Sequence, residues 1–395
     1  LALFFAVVAK AEEEKSKSPE AWNVESYAGE SVVQSIDCDT GTWMNLDVSP
    51  DGKNIVFDLL GDLYVMPITG ADGSEQTNQT YPTNLTNTVS WEMQPRYSPD
   101  GNSIAMTSDR TGKGDRGGDN IWIIDADGTS PTQVTAETFR LLCNPVWSPD
   151  GQYLVARKHF TSRRSLGAGE LWMYHRDAIA TGASTGVQLT KRPNDQKDVN
   201  EPVYSPDGRY LYYSQDVTPG STFEYDKDSH KGIYAIKRLD LVEGTTETLI
   251  RGPGGACRPT PSPDGKSLAF VRRVGAKTGL HHFDLQSGKI RLLYSDLERD
   301  MQEAWAIHGV YSGFDWTPDG ESIVIWAKGK IRRFNLQEGT AETIPFRIRD
   351  KRMIKPAVRL KVAVGVESFD VKMPRDVCVS RSGDRVAFLA LAYLY

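Results

Sequence analysis

The residue types that most often carry catalysis are few and widely spaced in this sequence. Six histidines are spread over 395 residues: His159, His175, His230, His281, His282 and His308. They form no His-x-His or His-Glu-x-x-His pattern, and the four cysteines form no Cys-x-x-Cys pair. Metal sites usually take two of their ligands at such short spacings. A Gly-x-Ser-x-Gly nucleophile turn is absent as well, so we predict no metal site and no catalytic residue in this chain.

Polar residues that could instead form a recognition surface recur at one position of a repeat. Seven Ser-Pro-Asp-Gly turns, or variants of that turn, follow one another at intervals of about 50 to 60 residues. The residue four positions before the turn is polar in six of them: Asn45, Gln94, Asn144, Glu201, Arg258 and Asp376. We predict that these side chains form a ring at the mouth of a central channel and bind a ligand or partner there. The alternative is that they only hydrogen-bond the neighbouring repeats.

Insertions between the repeats offer a second set of candidate binding residues. Residues 158–170, 218–225 and 299–308 depart from the repeat and combine aromatic with charged side chains. Loops on a rigid scaffold often carry function. We select five candidate contact residues from them: His159, Arg163, Tyr225, Trp305 and His308. Packing of the same loops against a neighbouring domain would explain their composition equally well.

The elements that must position these residues follow from the repeated turn. Its proline presets φ, its serine and aspartate side chains bond to nearby backbone, and its glycine accepts a positive φ. Apolar residues alternate after each turn, as at Ile104 and Met106, which predicts a β-hairpin. A third strand follows in most repeats, for example at 121–123, and a weaker fourth strand follows at 133–135.

Four short strands in each of seven repeats, with almost no helical periodicity, predict an all-β fold. The best match is a β-propeller of about seven four-stranded blades. A solenoid is the second possibility, but its coils are usually shorter than these repeats. The last repeat stops at Tyr395 on an apolar strand. Because stable proteins avoid an unpaired apolar edge, we expect the seventh blade to be incomplete in this sequence and the protein to continue.

The first residues predict export. Residues 1–9 are apolar but too few to span a membrane, and Ala9-Lys10-Ala11 matches a signal-peptide cleavage site. We therefore assign 1–11 to the remnant of a signal peptide, 12–39 to a polar segment with a lead-in strand, and 40–395 to the propeller. The expected location is the periplasm or the exterior of the cell.

Charge and cysteine placement limit the partners and the cross-links. A net charge of -6 argues against nucleic acid, which requires a basic surface. Export permits disulfides, but Cys143 and Cys257 each stand five residues before a turn serine, in blades two apart. Equivalent positions in such blades are too distant to bridge. We therefore expect the four cysteines to be free thiols, buried in the fold.

The repeated turn, followed by an Ile-Ala-Phe-like strand and an Ile-Trp-like strand, resembles the TolB-like propeller repeat, also called the WD40-like or PD40 repeat. This resemblance covers nearly all of residues 40–395. Longer stretches resemble one subgroup, the secreted bacterial amidohydrolases with an N-terminal TolB-like propeller. They are residues 41–48 (Gly-Thr-Trp-Met-Asn-Leu-Asp-Val), 157–160, 165–170, 222–225 and 301–308.

The resemblance implies that the chain is the non-catalytic propeller module of an exported, metal-dependent amidohydrolase. In that family the metal ligands begin with a His-x-His motif in a C-terminal domain, which here would lie beyond Tyr395 in the same polypeptide. We therefore expect no cofactor in this fragment and a divalent metal, zinc, in that domain. Two alternatives stay open. One is a free-standing periplasmic scaffold that binds proteins or peptides, and the other is the propeller of a prolyl-oligopeptidase-like serine peptidase.

Overall fold

The structure is a computed structural model that describes residues 24, 29–75, 81–110, 118–161, 167–182, 185–221, 228–355 and 365–395. The signal peptide assigned to residues 1–11 lies outside the described residues. The chain divides into two compact units, residues 1–354 and residues 355–395. Strands dominate both units; helical structure is represented by the four-residue helix α1 (Ala178–Thr181) and a 3-10 turn (Ser229–Lys231).

Strand β1 (Val32–Cys38) precedes six antiparallel, four-stranded sheets, in each of which the strands pair in chain order. Sheet one is β2 (Leu46–Val48), β3 (Asn54–Leu59), β4 (Asp62–Pro67) and β5 (Thr83–Asn84). Sheet two is β6 (Glu92–Tyr97), β7 (Ser103–Ser108), β8 (Asn120–Asp125) and β9 (Thr132–Gln133). Sheet three is β10 (Leu142–Trp147), β11 (Tyr153–Thr161), β12 (Gly167–His175) and β13 (Val187–Gln188).

The second half of the first unit continues the same pattern. Sheet four is β14 (Val199–Tyr204), β15 (Tyr210–Asp216), β16 (Tyr234–Asp240) and β17 (Thr246–Ile250). Sheet five is β18 (Cys257–Pro261), β19 (Ser267–Val274), β20 (Lys277–Asp284) and β21 (Ile290–Tyr294). Sheet six is β22 (Asp315–Trp316), β23 (Ser322–Ala327), β24 (Lys330–Asn335) and β25 (Ala341–Ile344). The all-β propeller fold predicted from the repeats is confirmed.

The six sheets close into a ring in which the sixth contacts the first. In each of the six turns of the first unit the glycine faces a proline of a neighbouring turn, so close that an added Cβ on Gly101 would lie 3.5 Å from Pro50. The first and sixth turns make the same contact, since a Cβ on Gly52 would lie 3.4 Å from Pro318 of the sixth turn. The Leu46 N–H also donates to the Gly313 carbonyl across this junction (3.1 Å).

The seventh repeat forms a separate three-stranded sheet in the second unit. Its strands are β27 (Arg375–Val379), β28 (Val386–Ala390) and β29 (Tyr393–Leu394). This is the incomplete sheet that the sequence predicts. The sequence counts seven repeats, whereas the ring of the first unit closes with six, because the turns and inner strands of sheets one and six already contact each other.

The hydrophobic core lies between consecutive sheets. Val56 of sheet one packs with Ile104 and Met106 of sheet two, and equivalent clusters fill the next junctions. The largest cluster joins sheets five, six and one, and it includes Trp316 and Phe346. Alternate strand residues therefore face neighbouring sheets on both sides, and the apolar ones among them form these clusters.

A two-stranded clasp joins the two ends of the ring. Strand β1 pairs antiparallel with β26 (Ile348–Ile354), which follows sheet six. Three contacts join the clasp to sheet one: the Tyr64 hydroxyl (2.9 Å) and Asn84 Nδ2 (2.7 Å) donate to Asp350, and Arg352 pairs with Asp62 (2.7 Å). The clasp adds a pairing that links sheet one to sheet six across their junction.

All four cysteines lie in described residues, and all are free thiols. Cys143 and Cys257 are buried, and burial raises the pKa of the Cys143 thiol to about 11. Cys38 is partly buried in the clasp, and Cys378 is exposed. The prediction of buried thiols is therefore wrong for Cys378, because β27 of the three-stranded sheet leaves its side chains exposed.

The repeated turn is held together by its own side chains. In the third repeat the Ser148 hydroxyl donates to Asp150 and accepts from the Tyr153 N–H (2.9 Å), while Asp150 accepts from the Gln152 N–H (3.0 Å). The serine hydroxyl and the backbone N–H lower the pKa of this aspartate. The equivalent bonds lower the pKa of Asp51 to about 2. Both bonds in the third turn reach the same oxygen, Asp150 Oδ1, and the lowered pKa keeps the carboxylate charged at neutral pH.

We predict that Ser148→Ala lowers the free energy of unfolding by about 1 kcal/mol, because the Tyr153 N–H and the Asp150 carboxylate both lose a partner. Urea unfolding followed by tryptophan fluorescence measures the change. Ser148→Thr is the matched control, since the sixth repeat uses Thr317 in the same role. Equal destabilisation by the two substitutions would show that the hydroxyl is not the source of the effect.

Candidate functional site

A long connection crosses the ring between sheets five and six. Residues 295–314 join β21 to β22 without a helix or a strand, and we call them the crossing segment. They include the insertion 299–308 that the sequence singles out. Side chains from sheets two to five hydrogen-bond the backbone of this segment, starting with Gln94 Nε2, which donates to the His308 carbonyl (2.6 Å). The segment therefore reaches across the mouth of the central channel.

The structure brings five of the predicted ring residues together at this mouth: Asn45, Gln94, Asn144, Glu201 and Arg258. All five are buried, with at most 5% of each residue exposed. The last four have φ between 52° and 59°, in the left-handed region, at bulges of β6, β10, β14 and β18. Such a bulge redirects the side chain and frees a backbone N–H.

Side chains of the ring link each sheet to the next. Gln94 Oε1 accepts from the Asn144 N–H (2.7 Å). Asn200 Oδ1 then accepts from Asn144 Nδ2 (2.9 Å) and from the Glu201 N–H (2.8 Å). Glu201 Oε2 accepts from the Arg258 N–H (2.6 Å). These contacts match the alternative interpretation, in which the residues bond neighbouring repeats; ligand binding by the ring stays a prediction.

Glu201 and Arg258 also anchor the crossing segment. Glu201 Oε1 accepts from the N–H groups of Val310 (2.6 Å) and Tyr311 (3.2 Å). Arg258 donates through Nε (2.8 Å) and Nη2 (2.5 Å) to the Tyr311 carbonyl, and through Nη1 to Asn144 Oδ1 (3.1 Å). The two side chains form a buried ion pair at 3.5 Å. The Arg258 guanidinium therefore links the ring residues Asn144 and Glu201 to the crossing segment.

Three of the five predicted loop residues meet at this place. Trp305 of the crossing segment packs its ring against His159, with centroids 5.8 Å apart, and His308 Nε2 bonds Asp119 Oδ2 (2.8 Å). Burial, with Arg157 as the next cause, lowers the pKa of His159 to about 3, so its ring is neutral at physiological pH. Arg163 and Tyr225 lie outside the described residues.

The sixth predicted ring residue, Asp376, belongs to the second unit. It lies on β27 with φ 51°, the same left-handed conformation as its counterparts, and its side chain is exposed. The repeat position thus specifies the backbone conformation even where the surroundings differ.

Sequence reasoning missed two acceptors of the ring, Asp58 and Asn200. Asp58 on β3 accepts from the N–H (2.7 Å) and Nδ2 (2.7 Å) of Asn45 and from the Gln94 N–H (2.8 Å). Burial raises the pKa of Asp58 to about 6. The available signal was an acidic residue inside the apolar run Ile55–Leu59. Alignment on the turn could not find it, because Asp58 lies on the second strand.

A cavity of about 1090 Å³ opens beside the crossing segment. It is bounded by the β3–β4 turn, the start of β6, the β23–β24 turn and the crossing segment itself. Its aromatic and apolar lining includes Trp43, Leu60, Trp91, Met301 and Trp305. Cavities of this size accommodate small ligands or short peptide segments.

Among the described residues, no group of three His, Cys, Asp or Glu side chains is placed to hold a metal ion. The described helices are all too short or too polar to cross a membrane.

No protein-family model matches the chain. An uncharacterized protein of Agrobacterium fabrum is 25% identical over 279 residues, which cover 70% of this chain and 81% of that protein. An uncharacterized peptidase of Bacillus subtilis, YuxL, is 27% identical over 177 residues. This match covers 45% of the chain but only 21% of the peptidase.

Solved structures decide the fold. TolB from Acinetobacter baumannii superposes with a TM-score of 0.54 at 16% identity, covering 78% of this chain and 64% of TolB. The chain has the fold of a TolB-like β-propeller. The tricorn protease also contains this architecture, with a TM-score of 0.53 at 16% identity. That match covers 89% of the chain but 29% of the protease, so TolB-like propellers also occur as parts of much larger proteins.

We predict that Glu201→Gln destabilises the propeller by about 3 kcal/mol, because an amide nitrogen would replace one acceptor oxygen and leave Arg258 unpaired. Urea unfolding measures the loss. Limited proteolysis should at the same time cut within the crossing segment. Glu243→Gln, at an exposed turn position, is the control and should change neither property. An unchanged proteolytic pattern would contradict the anchoring role of Glu201.

We predict a pH dependence from Asp58. Its folded-state pKa of about 6 lies above the ordinary value of 3.8, so the folded protein binds this proton more tightly than the unfolded chain does. The contribution is present below about pH 4 and is lost as the pH rises through about 6. Unfolding measured across this range should therefore show a smaller pH dependence for Asp58→Asn than for the parent chain. Identical pH profiles would refute the assignment.

Proposed function

We propose that this TolB-like propeller is a non-catalytic binding module of an exported, metal-dependent amidohydrolase. The observation that carries the binding role is the cavity beside the crossing segment. Four of its apolar lining residues are exposed: Leu60, Trp91, Met301 and Trp305. Exposed apolar groups gathered around one concave surface usually mark a site of interaction.

The hydrolase context is supported by two comparisons. The matched part of the chain corresponds to about a fifth of the YuxL peptidase and to 29% of the tricorn protease. Both proteins are named as hydrolases of peptide bonds, and in both the matched region is a minor part of the whole chain. The proposal assigns catalysis and the divalent metal, zinc, to a domain beyond Tyr395, and assigns to the propeller the control of access to it.

The amidohydrolase class rests on the stretches that resemble that subgroup. Two of them lie at the candidate site: residues 41–48 contribute Trp43 to the cavity, and residues 301–308 form part of the crossing segment. The proposal assigns to these two stretches a role in recognition. The proposal also includes export to the periplasm or exterior, which the apolar N-terminal residues support.

A free-standing scaffold is a second candidate, and one observation favours it. The Agrobacterium fabrum relative is matched over 81% of its own length, so a protein of this kind can consist largely of the propeller. A serine peptidase parent is the third, favoured by the YuxL match.

Sequencing the gene past the codon for Tyr395 separates the three candidates. A His-x-His motif supports the amidohydrolase, a Gly-x-Ser-x-Gly motif supports the peptidase, and an early stop supports the scaffold.

We predict that the purified chain of 395 residues hydrolyses neither N-acylated amino acids nor dipeptide amides, with or without added zinc. The reason is that the proposal assigns the metal ligands to another domain. Release of free amine, followed by a fluorogenic amine reagent, measures the activity. The full-length product of the gene is the positive control and should be active with zinc. Zinc-dependent release of amine by the short chain would overturn the non-catalytic assignment.

A further inference from the structure

The cavity beside the crossing segment has a distinctive apolar surface. The exposed fractions are 56% for Leu60, 53% for Trp91, 37% for Met301 and 38% for Trp305. Trp91 is positioned by the β3–β4 turn, since an added Cβ on Gly61 would lie 3.0 Å from its ring. Two indole rings are therefore available to an occupant. Tryptophan is the aromatic side chain that attracts cations most strongly.

The charged residues that line the cavity indicate which charge an occupant should carry. Asp58 accepts three hydrogen bonds inside the ring, and Glu92 pairs with Arg110 (3.0 Å). Arg299 lies 3.5 Å from Glu303, and the other basic group, His308, bonds Asp119.

Glu298 is different. It lines the cavity and is partly buried, and no described residue forms an ion pair with its carboxylate. A carboxylate without a cation beside tryptophan rings disfavours an anionic occupant and favours a cationic one. The apolar surface around it suits a hydrocarbon stem, such as that of arginine or lysine, better than a compact hydrated ion.

We infer that this cavity is a binding site for a basic side chain presented by an extended peptide. The guanidinium or ammonium group pairs with Glu298. The stem and the neighbouring apolar residues of the peptide pack on Leu60, Trp91, Met301 and Trp305. The occupant is a peptide in free solution, such as a substrate segment delivered to a catalytic domain. This inference rests on the proposed function as a binding module and adds the class of ligand.

The experiment uses three acetylated and amidated tripeptides, each with leucine on both sides of a central residue. The central residue is arginine, glutamine or glutamate. Isothermal titration calorimetry on the whole chain gives their affinities, and indole fluorescence reports contact with tryptophan. We expect the arginine peptide to bind about five times more tightly than the glutamine peptide, since a partly exposed ion pair contributes a factor of this size. The glutamate peptide should bind most weakly.

Two variants locate the site. Glu298→Gln should abolish the preference for arginine over glutamine and leave the glutamine peptide unaffected. Trp91→Ala should weaken all three peptides, because it removes shared apolar surface. The matched controls are Glu243→Gln and Val242→Ala, exposed positions on the turn after β16, which should change nothing. Added salt should reduce the arginine preference, because it screens the pair.

The outcomes separate this inference from the proposed function. Equal binding of the three peptides would overturn the cationic assignment but keep the cavity as an apolar binding site. An arginine preference that survives Glu298→Gln would place the cation elsewhere and overturn the inference. Binding of no peptide would overturn it together with the free-peptide role of the module. The hydrolysis test of the non-catalytic assignment is independent of all three results.

Discussion

The structure depends on one contact that is repeated around the channel: a side chain of one sheet accepts a hydrogen bond from the inner-strand backbone of the next. The N–H becomes available because the residue at the bulge is left-handed, as in Asn144, Glu201 and Arg258. A non-glycine residue in this conformation costs on the order of 1 kcal/mol or more, so the acceptor must return at least that much. Buried, charge-assisted bonds such as Glu201 to the Arg258 N–H do so. The Pro–Gly contacts between neighbouring turns link the same sheets a second time. The ring closes because the sixth turn contacts the first.

The polar side chains that hold the sheets together and the apolar surface that is open to a ligand lie in different places. The ring at the channel mouth is polar and central, the usual description of a propeller binding site, yet its groups are bonded to one another and to the crossing segment. Arg258, for example, donates to the Tyr311 carbonyl and to Asn144 Oδ1. The surface that remains open is the cavity beside the segment, which is apolar and carries the Glu298 carboxylate. The binding site that we propose therefore lies at the junction of sheets six, one and two, and ligand binding by the ring itself stays a prediction.

The crossing segment connects these two regions. Its carbonyl and N–H groups complete the ring, while Met301 and Trp305 on the same stretch contribute to the cavity. A change in the ring would thus reach the cavity through a few backbone bonds. The same propeller fold occurs in TolB and in the much larger tricorn protease. When the inner polar groups of a propeller are hydrogen-bonded to one another, the fold does not depend on the loops at the channel mouth. Those loops can then differ in the partners that they bind.

Much of the fold could be predicted from the sequence, because its causes are local. Proline, aspartate and glycine at fixed places specify the turn, alternation specifies the strands, and the period specifies a propeller. Repeat alignment also identifies the five ring positions, and the departures from the repeat select His159, Trp305 and His308 as candidates, but their meeting near one mouth is seen only in the structure. Tertiary structure alone decided that six sheets close the ring, since closure depends on the angle between packed sheets, which no single repeat encodes. It also decided that Asp58 and Asn200 complete the ring, that Arg258 bonds the crossing segment, and that Glu298 lies in an aromatic cavity. Those facts depend on residues far apart in the chain, brought together only by packing.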